Sequence, residues 1–308
     1  MTGGCPVFCR VPALARLDNG GDLPLGAFIV LRRAVLAASL AGIGLLVSAA
    51  RAAPGATGPF RIGVAPHSSA RVILEMYQPL RVHLEQALQR PVEIVTAADF
   101  TEFARRAMAQ QYDIAITTGH QARLLQTDAG HLPLLTYKAD FKAVAVVAAD
   151  SRFREPKDLA GGTVIGLSRS SLVTLWGEHW LFRNSIPGTT MRYVSASDSV
   201  GQLVLRGEAA AGFMSLANFQ NLASPVRSQL RALAESVPIT GRTYLLNARH
   251  AKLKDRVLAA LWAFADTPQA RQYFTRYQLG GYRQLEPREL LAMEPYANEV
   301  RTELRQAR

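Results

Sequence analysis

Hydroxyl side chains recur where short apolar runs give way to helical ones. They stand at Thr117-Thr118-Gly119-His120, at Ser168-Arg169-Ser170-Ser171 and at Ser197-Asp198, while Pro66-His67-Ser68-Ser69 forms a polar turn after the first such run. A Ser or Thr hydroxyl donates a hydrogen bond, and the first N–H groups of a helix have no partner inside it. Together they can hold a tetrahedral oxyanion, to which a helix N-terminus adds roughly half a unit of positive charge. Each hydrogen bond to a charged oxygen contributes about 1.5–3 kcal/mol, so a handful would support an affinity on the order of micromolar. Thr117, Thr118, Ser170 and Ser171 are the leading candidates. An ordinary N-cap role stays open for Ser168, Ser170 and Ser171, and more so for Ser197 and Asp198. His67 and His120 flank these turns and would face either an anion or solvent.

Other chemistries find little support. No histidine pair has metal-ligand spacing joined to carboxylates, so no metal site is expected. There is no Gly-x-Ser-x-Gly, no Walker loop and no Gly-x-Gly-x-x-Gly after a strand, and Ser170 has no assigned base. Neither a cofactor nor an enzymatic reaction is called for. His83, His131, His179 and His250 are expected to be solvated, and Trp176, Trp180 and Trp262 to lie in the core.

The elements that position these turns alternate in type. Phe60–Ala65, Val92–Val95 and Tyr112–Ile116 read as strands, with helices over 72–89 and from an Asp99 cap to about 110. A similar unit follows: strands at 163–167, 191–194 and 209–214, with helices from the Ser-rich turn and from Asp198. Strand and helix alternating with brief connections imply an α/β sheet with parallel pairs. The apolar runs Phe141–Ala149 and Thr243–Asn247 are expected to cross between two lobes as hinge strands, leaving a cleft suited to a small ligand. The remaining helical segments, 253–274 and 287–304, would pack back on the first unit. The resulting division is a leader at 1–52, the first part of lobe 1 at 53–142, lobe 2 at 143–244 and a return to lobe 1 at 245–308.

The leader reads as an export signal. Arg32-Arg33 precedes an apolar stretch, Ala34 to Ala50, closed by Ala50-Arg51-Ala52, with cleavage expected before Ala53. General and twin-arginine export both stay open, as does the start site, since no Met falls between Met1 and Met76. Both cysteines, Cys5 and Cys9, lie in this leader, so the mature chain would carry no disulfide, thiolate metal site or lipid-anchor cysteine. The whole chain is formally +11, of which roughly +8 belongs to the part after the leader. That excess is dispersed arginine with no recognisable nucleic-acid module, which argues against nucleic acid and is compatible with a small anionic ligand.

Several of these segments resemble the phosphate/phosphonate-type periplasmic substrate-binding proteins of ABC transporters. The resemblance is carried by Phe60-Arg61-Ile62-Gly63-Val64, Tyr77-Gln78-Pro79-Leu80, Tyr112-Asp113-Ile114-Ala115-Ile116, Asp158-Leu159-Ala160-Gly161-Gly162-Thr163-Val164 and Gly207-Glu208-Ala209-Ala210-Ala211-Gly212. It implies a two-lobe type II periplasmic binding protein fold, with two α/β sandwich lobes joined by two hinge strands. It also implies a monomer in the periplasm that captures a small oxyanion of the phosphate, phosphite or phosphonate class for an ABC permease. A sensing subunit of a membrane histidine kinase is the alternative, and an enzyme on the same scaffold a more distant one. In that family's Ser-Thr-Ser-Gly helix start this chain has Ser170-Ser171-Leu172-Val173, and in its Ser-His-Asp turn it has Ala196-Ser197-Asp198. Ser215, a further candidate for contact with the ligand, stands where an acidic residue is expected, so the carboxylate that an aminoalkyl phosphonate's ammonium group needs is missing there.

Overall fold

A computed structural model describes residues 58–286 and 288–306. The expected signal peptide, its cleavage position, Cys5 and Cys9 lie outside the described residues.

The first lobe begins with β1 (Phe60–Val64), α1 (Ala70–Leu88), β2 (Val92–Val95), α2 (Phe100–Met108), β3 (Ile114–Thr118), α3 (Gly119–Asp128) and β4 (Leu132–Tyr137). Helix α1 buries Ile73, Met76, Tyr77, Leu80 and Leu84, a stripe at helical spacing, and Ser69 caps its first turn. Asp99 caps α2 as expected, accepting from the Glu102 amide at 2.8 Å. The second lobe contains β5 (Ala143–Ala148), β6 (Thr163–Gly166), α4 (Leu172–Arg183), β7 (Thr190–Tyr193) and α5 (Ser197–Leu205). It continues with β8 (Ala211–Ser215), α6 (Leu216–Gln220), α7 (Ser224–Arg227) and β9 (Leu230–Glu235). The chain then returns through β10 (Arg242–Leu246), α8 (Lys254–Ala265), α9 (Pro268–Arg276), β11 (Tyr282–Arg283) and α10 (Glu294–Gln306).

Two mixed sheets result. The first is six-stranded in the order β11-β4-β10-β3-β1-β2, and the second five-stranded in the order β7-β6-β8-β5-β9. In each, three parallel strands carry helices on their crossovers while the remaining partners are antiparallel. The parallel strands point their C-terminal ends at the groove between the lobes, the edge from which such sheets present ligands.

The crossing differs from expectation. β5 pairs only within the second sheet and β10 only within the first, so neither runs between lobes. The connections are the segments 138–142 and 236–241, tied by an isolated antiparallel bridge between Phe141 and Ile239. The expected end of lobe 2 at 244 accordingly falls inside a lobe 1 strand. β4 and β9 were not legible as strands: Pro133 interrupts one, and Leu-Arg-Ala-Leu-Ala-Glu in the other is made of helix formers.

Helix α10 packs back on the first lobe, as expected, through ion pairs of Glu294 with Arg123 and of Arg301 with Asp128. It also reaches the second lobe. Ala297 and Val300 share a small core with Ala104, Leu124 and Leu175, and the His179 ring stacks on Tyr296 at 4.8 Å. His131 and His250, expected in solvent, are respectively buried and hydrogen-bonded to the Asp113 carboxylate. Among the described residues no helix is long and apolar enough to cross a membrane.

Candidate functional site

The candidate residues separate into two groups along the groove. Thr117, Thr118, His120, Ser170 and Ser171 meet where β3 and β6 give way to α3 and α4, and all five are buried. Here the lobes touch directly. The His120 Nε2–H donates to the Ser170 carbonyl at 2.9 Å, while its Nδ1 accepts from the Thr118 hydroxyl at 3.1 Å. The Ser170 hydroxyl bonds the Thr101 hydroxyl across the groove at 2.8 Å, and the Thr117 hydroxyl donates to Gln121 at 2.8 Å. Burial pushes His120 down to about 4, against the pull of the Ser170 carbonyl, so the ring is neutral at pH 7. The hydroxyls of Thr117, Thr118 and Ser170 are therefore committed to protein partners. Ser171 starts α4 without a side-chain cap bond, and the Ser168 hydroxyl is enclosed without a partner.

The second group opens on space. A cavity of about 330 Å³ is lined by His67, Ser68 and Ser69 from the start of α1, by Ala196, Ser197 and Asp198 from the start of α5, and by Asn218 and Arg242. Both lobes contribute, and the amide of Asn218 joins them. It donates to the Ser197 hydroxyl at 2.7 Å and to the His67 carbonyl at 3.2 Å. Ser215 caps α6 through the Asn218 amide N–H at 3.1 Å, so its hydroxyl positions Asn218 and is absent from the cavity wall. Asp198 lies in the first turn of α5 and is exposed.

Arg242, which opens β10, was not among the sequence candidates. Its guanidinium donates to His67 Nε2 at 3.0 Å, reaches the Tyr77 hydroxyl at 3.5 Å and lies over the Tyr137 ring at 5.3 Å. None of these partners is a carboxylate, in contrast to Arg283 and Arg301, which hold Glu289 and Asp128. Burial opposes the charge on Arg242, and the tyrosine oxygens of Tyr77, Tyr137 and Tyr273 outweigh it, so the group stays a cation. His67 takes the opposite sense. Burial first, then the neighbouring Arg242 charge, push it down to about 3, although the Ala65 carbonyl accepts its Nδ1–H at 2.9 Å. A neutral His67 thus presents its lone pair to Arg242 and aims the fork. The signal in the sequence was a lone arginine opening an apolar strand.

Arg242 thus shares one cavity with the starts of two helices, a set of hydroxyls and the exposed Asp198. The family model for ABC transporter, phosphonate, periplasmic substrate-binding proteins matches residues 62–290. The chain belongs to this family. Its fold is shared with PhnD1 of Prochlorococcus marinus, solved in complex with methylphosphonate, at a TM-score of 0.69 and 16% identity over 79% of this chain and 98% of that one. A binding-protein component of a Pseudomonas aeruginosa ABC phosphonate transporter gives 0.68 and 13% identity over 80% and 94%. A Xanthomonas citri protein solved with chloride gives 0.66 and 20% over 79% and 99%. Comparison with curated proteins returned no match. As a member of the phosphonate-binding family, the chain is a periplasmic substrate-binding protein that works with an ABC permease. No comparison supports the alternative of a kinase-linked sensor.

Proposed function

We propose that this family member captures a small oxyanion of the phosphonate, phosphite or phosphate class in the Arg242 cavity and presents the closed, liganded form to its permease. The observation that carries the reading is the Arg242 guanidinium, held in the groove without a carboxylate partner. Arg242 is half-buried among neutral partners, and an anion bound beside it would supply the opposite charge that they lack. Arg242 supplies a planar fork suited to two oxygens of one ligand. The starts of α1 and α5 add N–H groups and dipole from both lobes, with Ser68, Ser69, Ser197 and Asn218 alongside. Because these groups converge only when the lobes meet, the ligand's binding energy favours closure.

In this reading the chain binds without turnover. The one imidazole in the cavity is occupied at both nitrogens, and no nucleophile is paired with it. The leader at 1–52 would direct export, and the mature protein would act as a periplasmic monomer that ignores nucleic acid. Of the residues at the zipped end, Thr117, Thr118, His120, Ser170 and Ser171 serve closure more than ligand contact.

A thermal-shift screen of the mature protein against methylphosphonate, phosphite, phosphate, sulfate and a carboxylate tests this. A ligand at a hundred times its dissociation constant adds about 2.7 kcal/mol of stability. One of the phosphorus oxyanions is expected to do so. Stabilisation by the carboxylate alone would overturn the ligand class.

A further inference from the structure

Arg242 rests against a buried cluster of tyrosines drawn from four elements. The Tyr137 hydroxyl, at the end of β4, bonds the Tyr244 hydroxyl of β10 at 2.6 Å and the Tyr273 hydroxyl of α9, and Tyr244 in turn bonds Tyr282 of β11 at 3.0 Å. All four rings are buried, and burial pushes all four phenols above their ordinary range, so they stay neutral at pH 7. Packing alone does not call for this arrangement. Phenylalanine would fill nearly the same space without hydroxyls to satisfy, and a buried hydroxyl is costly unless it is bonded. The chain of phenols does what phenylalanine could not: it clamps the Tyr137 ring at its hydroxyl end from two sides. The face of that ring carries the Arg242 guanidinium, 5.3 Å from its centre. Backbone pairing holds ring and cation together, since Thr136 pairs with Thr243 and its hydroxyl donates to the Arg242 carbonyl at 2.7 Å.

We infer that Tyr137 is a positioning residue for ligand capture: its ring face is the seat that fixes the Arg242 fork toward the cavity, and the phenol chain behind it locks the seat. This rests on the Arg242 reading of the head group and deepens it by naming what aims that group. A carboxylate in the same place would hold the guanidinium as firmly but would cancel the charge an anion needs, whereas an aromatic face holds a cation and leaves its charge in place. Tyr137 closes β4 just before one crossing segment, and Arg242 opens β10 just after the other. His67 and Tyr77, which also hold the guanidinium, belong to the first lobe as well. The fork is therefore aimed before the lobes meet.

Calorimetric titration with methylphosphonate, phosphite and phosphate, beside a denaturant melt of each variant, tests the inference. Tyr137→Leu removes the ring face and should weaken binding of these anions about tenfold, the worth of a part-buried cation–π contact. In an Arg242→Gln background the same change should alter affinity by less than about twofold, because the seat then has nothing to hold. Tyr137→Phe keeps the face and deletes two hydroxyl bonds, so the melt should fall while affinity stays within about threefold. A merely structural role would make affinity follow stability through all of these variants. Should Tyr137→Leu fail to fold, a difluorinated phenylalanine placed at position 137 gives the same test in a ring of nearly equal size. Its face holds a cation less well, and the anions should bind about threefold more weakly than to Tyr137→Phe. Unchanged affinity in Tyr137→Leu, or equal affinity with and without the ring fluorines, would overturn this inference alone when Arg242→Gln has lost binding. Unchanged affinity in Arg242→Gln, or no binding of any of the three anions, would instead overturn the head-group reading on which it rests.

Discussion

At the His120 end of the groove, hydroxyls from facing lobes bond one another and a neutral imidazole closes the seam. At the Arg242 end, hydroxyls of the same type surround about 330 Å³ of space and a cation without a counter-ion. Both ends consist of strand termini and helix starts, so secondary structure does not separate them. What does is the third residue in each cluster. His120 carries one donor and one acceptor, and both find partners within the protein. Arg242 carries five donors and no acceptor, and only His67 and Tyr77 offer it oxygen or nitrogen lone pairs. A self-satisfied seam holds lobes together, whereas an unsatisfied cation recruits something from outside.

Removing that cation should have the largest effect. Arg242→Gln is expected to weaken methylphosphonate binding at least about a hundredfold, the worth of two charge-assisted hydrogen bonds. The unliganded melting temperature should stay level or rise, because an unpaired charge has been withdrawn from a partly buried site. Arg242→Lys keeps the charge without the fork and should fall between. Wild-type affinity in Arg242→Gln would show that the two ends have been assigned the wrong way round.

Acid should act on both ends of the groove, through one neutral imidazole at each. Folded His120 titrates at about 4, below the roughly 6.5 of an unfolded histidine, so between these values the unfolded chain binds more protons. Stability therefore rises with pH across that window and is lost as pH falls from about 6.5 towards 4. The loss is on the order of 3 kcal/mol for this group, and His67, lowered to about 3, adds to it in the same direction. Denaturant melts at pH 7 and pH 4.5 should show the drop, and His120→Gln should shrink it. An equal drop in the variant would mean the seam does not depend on a neutral imidazole.

Much of this division could be read from the chain, and part could not. Alternating runs such as Phe60–Val64 and the capped start at Asp99 declare themselves locally, because periodicity and capping are properties of neighbours in sequence. The hydroxyls at 117–118, 170–171 and 197 were legible for the same reason. Whether each was free was not legible, since that depends on groups far away in sequence: Thr101 for Ser170, Asn218 for Ser197. Arg242 escaped because its meaning is an absence. Only the folded neighbourhood reveals that this arginine faces a cavity with no carboxylate bonded to it. β9 escaped because its composition favours helix and its partner β5 supplies the reason for a strand.

Smaller substitutions sharpen the contrast. Ser197→Ala removes the oxygen that fixes the Asn218 amide at 2.7 Å, on the cavity side. One neutral hydrogen bond contributes about 1 kcal/mol, so methylphosphonate affinity should fall about fivefold in the titration.

The seam should respond to the equivalent change in stability and hardly at all in affinity. Ser170→Ala with Ser171→Ala deletes the hydroxyl bonded to Thr101, and the lost hydrogen bond is worth about 1 kcal/mol in a denaturant melt. The backbone carbonyl of Ser170, which receives His120, survives the substitution, so the lobes still meet. Affinity for methylphosphonate should then stay within about threefold of the original, the residue of a slightly less favoured closed form. A loss of a hundredfold would instead make the buried hydroxyls ligand groups that the seam releases on binding, and the two ends of the groove would be one site.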